Sequence, residues 1–205
     1  MRAASQPYLT LKRAGDILLA LAGLVLLSPL LTALWVVVRC ESPGDPAIFR
    51  QRRAGLGGAP FQLLKLRTMV AGADAMKESL RSRSAVAWPD FNLSDDPRVT
   101  RVGRVLRRTS LDELPQLVNV LMGEMSMVGP RPTSFAPETY ALWQTERLAY
   151  KPGLTGPWQV KGRGSMSFDE RSRLEIAFFR NHSLSREWAL IPLTAVALVR
   201  RTGSA

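Results

Sequence analysis

Ile17-Leu18-Leu19-Ala20-Leu21-Ala22-Gly23-Leu24-Val25-Leu26-Leu27-Ser28-Pro29-Leu30-Leu31-Thr32-Ala33-Leu34-Trp35-Val36-Val37-Val38 carries no charge and is dominated by Leu, Val and Ala. About twenty such residues suffice for a helix to cross the hydrocarbon core of a bilayer. Two details argue against a simple span. Pro29 lacks the N–H that would bond the Val25 carbonyl, so a kink is expected there, with the Ser28 hydroxyl at hand for the freed backbone. Both flanks are basic: Lys12 and Arg13 precede the run, and Arg39, Arg50, Arg52 and Arg53 follow it. A positive-inside bias at both ends favours a helix that enters, bends and returns over one that spans. No small-x-small cleavage site follows the run, and Arg39 directly before Cys40 spoils a lipoprotein-type site, so the segment is expected to be retained.

Outward from this helix, the chain of 205 residues has the length of one domain with a core. Its 28 Lys+Arg against 17 Asp+Glu leave a formal charge of +11, which calls for anionic partners: nucleic acid, an acidic bilayer or phosphorylated small molecules. The single cysteine, Cys40, excludes an intramolecular disulfide framework and fits a reducing compartment. The single histidine, His182, argues against a His-based zinc site or a Ser/His/Asp triad.

Ser42-Pro43-Gly44-Asp45-Pro46 is a turn cluster that ends the apolar element. Residues 47–69 read as strand and turn, with Arg52-Arg53-Ala54-Gly55-Leu56-Gly57-Gly58 as a basic glycine loop. Extended Leu64-Lys65-Leu66-Arg67 puts Lys65 and Arg67 on one face, either as solvated charges or as two cations aimed at a phosphate. Residues 71–83 are expected to be helical, followed by a loop from Trp88-Pro89 to Asp95-Asp96-Pro97. Residues 98–108 are also expected to be helical, with Arg101, Arg104 and Arg108 on one face as solvated surface or as contacts to anionic headgroups. Helices are further expected over residues 137–150, 168–181 and 185–201. The last carries an apolar stretch too short to span and is interrupted by Pro192. Residues 151–164 are rich in Gly and Pro with cations interspersed; Arg163 is a candidate for bidentate phosphate contacts, and no Walker motif is present.

The chemistry-bearing stretch is Ser110-Leu111-Asp112-Glu113-Leu114-Pro115, two adjacent carboxylates inside a basic frame of Arg98, Arg101, Arg104, Arg107 and Arg108, with the stiff turn Val128-Gly129-Pro130-Arg131-Pro132 beyond. Leu114, Leu117, Val118 and Leu121 space an amphipathic helix. Ser110 with Glu113 matches a capping box, but that start leaves Pro115 deep in the helix; Asp112 as N-cap puts Pro115 in the first turn. On the second reading the helix end keeps Asp112 ionised and receives a phosphate. Capping and catalysis both account for the pair at this level.

Taken together, these motifs resemble the bacterial sugar transferases, the monotopic phosphoglycosyl transferases that begin glycoconjugate assembly. The resemblance rests on Lys12-Arg13 with Asp16, Ser28-Pro29, Lys65-Leu66-Arg67-Thr68-Met69, Val102-Gly103-Arg104 through Asp112-Glu113-Leu114-Pro115-Gln116-Leu117-Val118-Asn119, Gly129-Pro130-Arg131-Pro132 and Lys151-Pro152-Gly153-Leu154-Thr155-Gly156. It implies transfer of sugar-1-phosphate from a UDP-sugar to polyprenyl (undecaprenyl) phosphate with release of UMP, as the first membrane step of exopolysaccharide or glycoconjugate synthesis. It makes Asp112 the nucleophile of a covalent phosphosugar intermediate, and Glu113 its partner on Mg²⁺ or the acceptor. Arg131, Lys65 and Arg67 fall on positions expected near the phosphates, and Ser28-Pro29 falls on the family's helix break.

The architecture so implied is α+β and mainly helical. Residues 1–41 form a membrane-embedded re-entrant helix, and residues 42–205 a catalytic domain with interfacial helices and a small β element around the site. The implied place is the cytoplasmic face of the bacterial inner membrane, against anionic lipids. Pro157-Trp158-Gln159-Val160 resembles hexose-type members, pointing to glucose or galactose. Where the family commonly has Asp-x-x-Tyr and a later Asp, this chain has Glu175, Phe178 and Glu187, which puts specificity or activity in question because Phe178 has no hydroxyl. The rival readings are a membrane-tethered nucleic-acid binder, which needs nothing from Asp112-Glu113, and a catalytically silent scaffold. On the transferase reading no nucleic acid is expected as a partner.

Overall fold

The computed structural model describes residues 5–76, 78–81, 93, 95–133, 136–161, 166–181 and 183–199. The fold is mainly helical with small sheets. Helix α1, Gln6–Glu41, holds the whole apolar run. It is long and apolar enough to cross a membrane, and only 6 % of its most apolar window is buried inside the protein. Leu18, Val25 and Leu26 are exposed, as suits side chains facing lipid. The helix continues through Ser28-Pro29, where the Ser28 hydroxyl donates to the Val25 carbonyl at 2.8 Å. That is the carbonyl Pro29 leaves without an N–H, so the expected compensation is present.

β1, Ile48–Ala54, pairs antiparallel with β2, Pro60–Leu66, from Ile48↔Leu66 to Ala54↔Pro60. Gly57 and Gly58 take φ of 64° and 81° in the connecting turn, a conformation that costs a glycine little. The other edge of β2 is closed by one side chain. Asn119 accepts from the Leu64 N–H at 3.0 Å and donates to the Gln62 carbonyl at 2.7 Å. This meets backbone groups that would otherwise lie unpaired.

Helix α2, Arg101–Thr109, starts at Thr100, whose hydroxyl accepts from the Gly103 N–H. A Cβ at Gly103 would lie 2.2 Å from the Thr68 carbonyl oxygen, so this crossing requires glycine. A 3-10 turn, Leu111–Glu113, leads into α3, Gln116–Met122. The short strands β3, Ser126–Val128, and β4, Gly153–Thr155, pair in parallel. Then follow α4, Pro157–Lys161; α5, Phe168–Phe179, opened by a Ser167/Glu170 capping box; and α6, Leu184–Val199.

Two apolar clusters hold these elements together. One joins Ala20 of α1 to Phe61, Leu63, Leu117, Val120, Met125 and Leu190; the other joins Val38 to Ala47, Leu66 and Leu106. Ala20 and Val38 are eighteen residues apart, about 27 Å along a helix axis, yet both rest on the same folded body. The polar N-terminal turns of α1 are fixed internally. Arg13 donates to the Val120 and Leu121 carbonyls at 2.6 and 2.7 Å, and Lys12 to the Val128 carbonyl and Glu187. Asp16 accepts from the Ser126 hydroxyl and the Met127 N–H. These cations, read in the sequence as a basic flank, are thus spent on the protein's own carbonyls.

Three expectations are corrected. The described part of residues 71–83 is turns, not helix: Ala73 and Ala75 donate three residues back, and Gly72 sits at φ 69°. Residues 137–150 form 3-10 turns, Pro137–Thr139 and Leu142–Ala149, because Tyr140 and Ala141 between them are extended. The supposed loop at residues 151–164 contains β4 and α4, allowed by the close backbone approach of Gly129 and Gly153. Trp88-Pro89 and His182 lie outside the described residues.

Candidate active site

Ser110 ends α2 in the left-handed region at φ 58°, an uncommon conformation for a residue with a Cβ. It turns the chain into the 3-10 turn that carries Asp112 and Glu113, and the Glu113 N–H donates to the Ser110 carbonyl. Neither sequence-level start for the next helix holds. Ser110 makes no side-chain capping bond to the 3-10 turn, and Asp112 lies within that turn rather than at an N-cap; Pro115 precedes the first residue of α3. Pro115 favours this arrangement, since it needs no N–H there.

Both carboxylates are buried, Asp112 at 6 % and Glu113 at 9 % exposure. Glu113 is fully engaged. Its Oε1 accepts from Lys65 Nζ at 3.0 Å and from Arg131 at 2.7 Å, and its Oε2 faces the same guanidinium at 3.4 Å. Asp112 has one ion-pair partner among the described residues, Lys65 at 3.9 Å, and accepts no hydrogen bond there. Lys65 therefore stands between the two acids. It is set there by the alternation of β2, with Asn119 fixing that strand against α3.

The same surroundings move the two acids in opposite directions. Burial pushes Glu113 up, but the Arg131 and Lys65 charges and their hydrogen bonds outweigh it and hold the carboxyl far below its usual range. For Asp112 burial dominates: Lys65 pulls it down and Glu113 pushes it up, with a net rise above the ordinary aspartate value. Adjacent carboxylates driven apart in this way are a recurring mark of a reaction centre.

Arg131 comes from the turn between two prolines. Its N–H donates to Glu175 at 2.8 Å, its carbonyl accepts from Arg147 at 2.8 Å, and its guanidinium lies 5.6 Å from the Trp158 ring. Two further cations join the site: Arg107, part of the arginine frame read around the pair, and Arg53, read as part of the basic glycine loop. Arg107 donates to the Thr68 hydroxyl, and its charge favours the ionised form of Asp112. Arg53 is bonded to Gln51 and the Pro132 carbonyl; burial and the Arg131 charge push it down to about 10.

Other candidates fall elsewhere. Arg67 turns to Asp45 at 3.7 Å, to the Pro46 carbonyl and to the Phe49 ring, away from the two carboxylates. Arg98 is buried on Asp96, whereas Arg101, Arg104 and Arg108 are exposed. Arg163 lies outside the described residues. Ser28 and Pro29 sit within α1. At the positions that depart from the family pattern, Glu175 holds Arg131 and Arg147, Phe178 packs edge-on to Phe179 beneath Arg186, and Glu187 takes Lys12 and Tyr8.

A buried, raised-pKa aspartate beside a neutralised glutamate, ringed by Lys65, Arg131, Arg107 and Arg53, suits a nucleophile that must meet an anionic phosphorus centre. The model of the family described as bacterial sugar transferase matches residues 7–201, and this chain belongs to that family.

Among its relatives, an undecaprenyl-phosphate galactose phosphotransferase of Salmonella typhimurium is 41 % identical over 199 residues, covering 95 % of this chain and 41 % of that protein. A UDP-glucose:undecaprenyl-phosphate glucose-1-phosphate transferase of Caulobacter vibrioides is 43 % identical over 197 residues, covering 92 % and 69 %. The exopolysaccharide production protein ExoY of Sinorhizobium fredii is 38 % identical over 198 residues, covering 94 % and 87 %. The chain spans less than half the length of several curated relatives that it matches.

Proposed function

We propose that this chain carries the phosphoglycosyl transferase activity named in its relatives, moving hexose-1-phosphate from a UDP-hexose to undecaprenyl phosphate. In the first step an Asp112 carboxylate oxygen attacks the sugar-bearing phosphorus. The bond to the bridging oxygen breaks, and UMP leaves with that oxygen and its electron pair. In the second step a lipid phosphate oxygen attacks the same phosphorus, and the Asp112 carboxylate departs as it arrived. Lys65, Arg107 and Arg131 offset the charge that gathers as two anions are joined through a third. The carrying observation is the asymmetry of the pair: Glu113 is consumed by Lys65 and Arg131, while Asp112 accepts no hydrogen bond from the described residues.

Mg²⁺ fits this donor set. Among the described residues no group of three or more His, Cys, Asp or Glu is gathered to hold a metal. Magnesium, however, needs only one or two carboxylates beside waters and substrate phosphates. Asp112, which accepts no hydrogen bond among the described residues, would hold it, with Glu113 next to it; when bound it would supply neutralisation of the diphosphate.

The membrane part of the reading is a re-entrant α1 that returns to the cytoplasmic face of the inner membrane, bringing the lipid phosphate to Asp112. Its support is that Ala20 and Val38, toward opposite ends of the apolar run, pack on one body, and that Ser28 serves the Val25 carbonyl beside Pro29. A helix crossing to the far side would carry one of these contacts away from the body. The hexose assignment is supported by the galactose and glucose in the relatives' names. The test is UMP release from a panel of UDP-sugars by reconstituted protein with undecaprenyl phosphate and Mg²⁺. UDP-glucose or UDP-galactose should lead, and no release from any UDP-sugar would refute the reading.

A further inference from the structure

We propose that the buried pair Glu175–Arg147 is a clamp that positions Arg131 for the reaction at Asp112, an inference that rests on the transferase reading. Glu175 is 0 % exposed and Arg147 5 %, so neither reaches a substrate. The pair grips both backbone polar groups of one residue. Glu175 Oε1 accepts from the Arg131 N–H at 2.8 Å, and Arg147 donates to the Arg131 carbonyl at 2.8 Å. The circuit closes between the partners, where Arg147 donates to Glu175 Oε2 through Nε at 3.1 Å and through its terminal nitrogen at 2.6 Å.

The residues flanking Arg131 are prolines, which fix φ and donate nothing, so the clamp completes the fixing of this turn. What protrudes from it is the guanidinium on Glu113, next to Asp112. A buried ion pair roughly breaks even in stability against an apolar replacement, so net stability does not explain this one. The planar fork of Arg147 reaches the Arg131 carbonyl while holding the carboxylate that takes the Arg131 N–H, so the pair together fixes the backbone at two points. The Glu175 side chain spans from α5 to the turn, which makes it part of the arginine's support rather than a substrate contact.

The test is a double-mutant cycle on kcat/KM for UDP-hexose, with melting curves and amide hydrogen exchange beside it. Arg147→Lys keeps the charge opposite Glu175 and loses the fork that also reaches the Arg131 carbonyl. It should cut kcat/KM by about tenfold or more, as sub-ångström to ångström displacements of a positioning group do. In an Arg131→Ala background the same change should cost no more than about twofold, since coupled residues are non-additive. The Arg131 amide, protected in the unaltered protein, should exchange faster in Arg147→Lys. Wild-type kcat/KM in Arg147→Lys, an equal loss in both backgrounds or unchanged exchange would each overturn the clamp. Loss of cooperative melting in both Arg147→Lys and Glu175→Gln would do so too, because the pair would then serve the fold. An unaltered protein that protects the Arg131 amide and releases no UMP, while Arg147→Lys exchanges faster, overturns the transferase reading alone.

Discussion

Asp112 and Glu113 are adjacent residues with different chemistry: Glu113 is held by Lys65 and Arg131, and Asp112 is only approached by Lys65. Burial raises the Asp112 carboxyl above its unfolded value of about 3.9, so it favours stability below that value and loses it as pH rises through the folded one. Asp112→Asn should therefore abolish UMP release, by about 10³-fold or more, while the melting point holds or rises. Each kcal/mol of relief is worth about 2–4 °C in a chain of this size, and a fall of several degrees would contradict the assignment.

The same shift sets the acid limb of the first half-reaction, measured with UDP-sugar alone. It should lie above pH of about 4, where an ordinary aspartate would already be ionised; a limb at or below that value would count against a buried nucleophile. Glu113 behaves oppositely, its stabilising contribution present above the unfolded pKa and lost as pH falls through the depressed one. Glu113→Gln strands Lys65 and Arg131 and should cost about 3 kcal/mol in chemical denaturation.

At the scale of elements, positioning is done by a few contacts between α1, β2 and α3. Arg13 sits on the last carbonyls of α3, where a cation meets both open acceptors and the negative helix end. Asn119, on the same helix, carries the edge of β2 and with it Lys65. Asn119→Ala leaves the Leu64 N–H and the Gln62 carbonyl unpaired and should cost about 1–3 kcal/mol, read by denaturant midpoint. A neutral result would mean that water replaces the amide at that edge. The periodic elements were legible in the sequence: α1, the β1–β2 hairpin, α2, α5 and α6 fall close to their expected places. The misses share a cause. Residues 71–80 and 137–150 have helix-forming composition, but three-residue hydrogen bonding, Gly72 and the extended Tyr140-Ala141 break the repeat. Asp112 was placed at a helix start because Pro115 forbids an earlier one. A left-handed Ser110 followed by a 3-10 turn is a third solution that spacing does not reveal.

At the scale of the whole molecule, the long-range organisation was only partly legible. The family resemblance implies that Asp112, Glu113, Lys65 and Arg131 share one centre, and the structure brings these four together; it implies the same of Arg67, which the structure turns toward Asp45. Adjacency in a strand fixes the face, but the reach of an arginine is decided by the first carboxylate it meets. The roles of Glu175 and Glu187 were hidden for the same reason, since their partners lie far away in the chain. For topology, the re-entrant reading predicts that cysteines placed at Ser5 and Ser42, with the exposed Cys40 removed, react with an impermeant reagent from the same side of sealed vesicles. Opposite-side labelling would make α1 a span. The most direct test of the central claim is intact-protein and peptide mass spectrometry after incubation with UDP-hexose in the absence of the lipid acceptor. The account predicts one phosphohexose on the peptide containing Asp112, absent in Asp112→Asn and lost when undecaprenyl phosphate is added. UMP release that requires the lipid from the outset, with no adduct on Asp112, would contradict it.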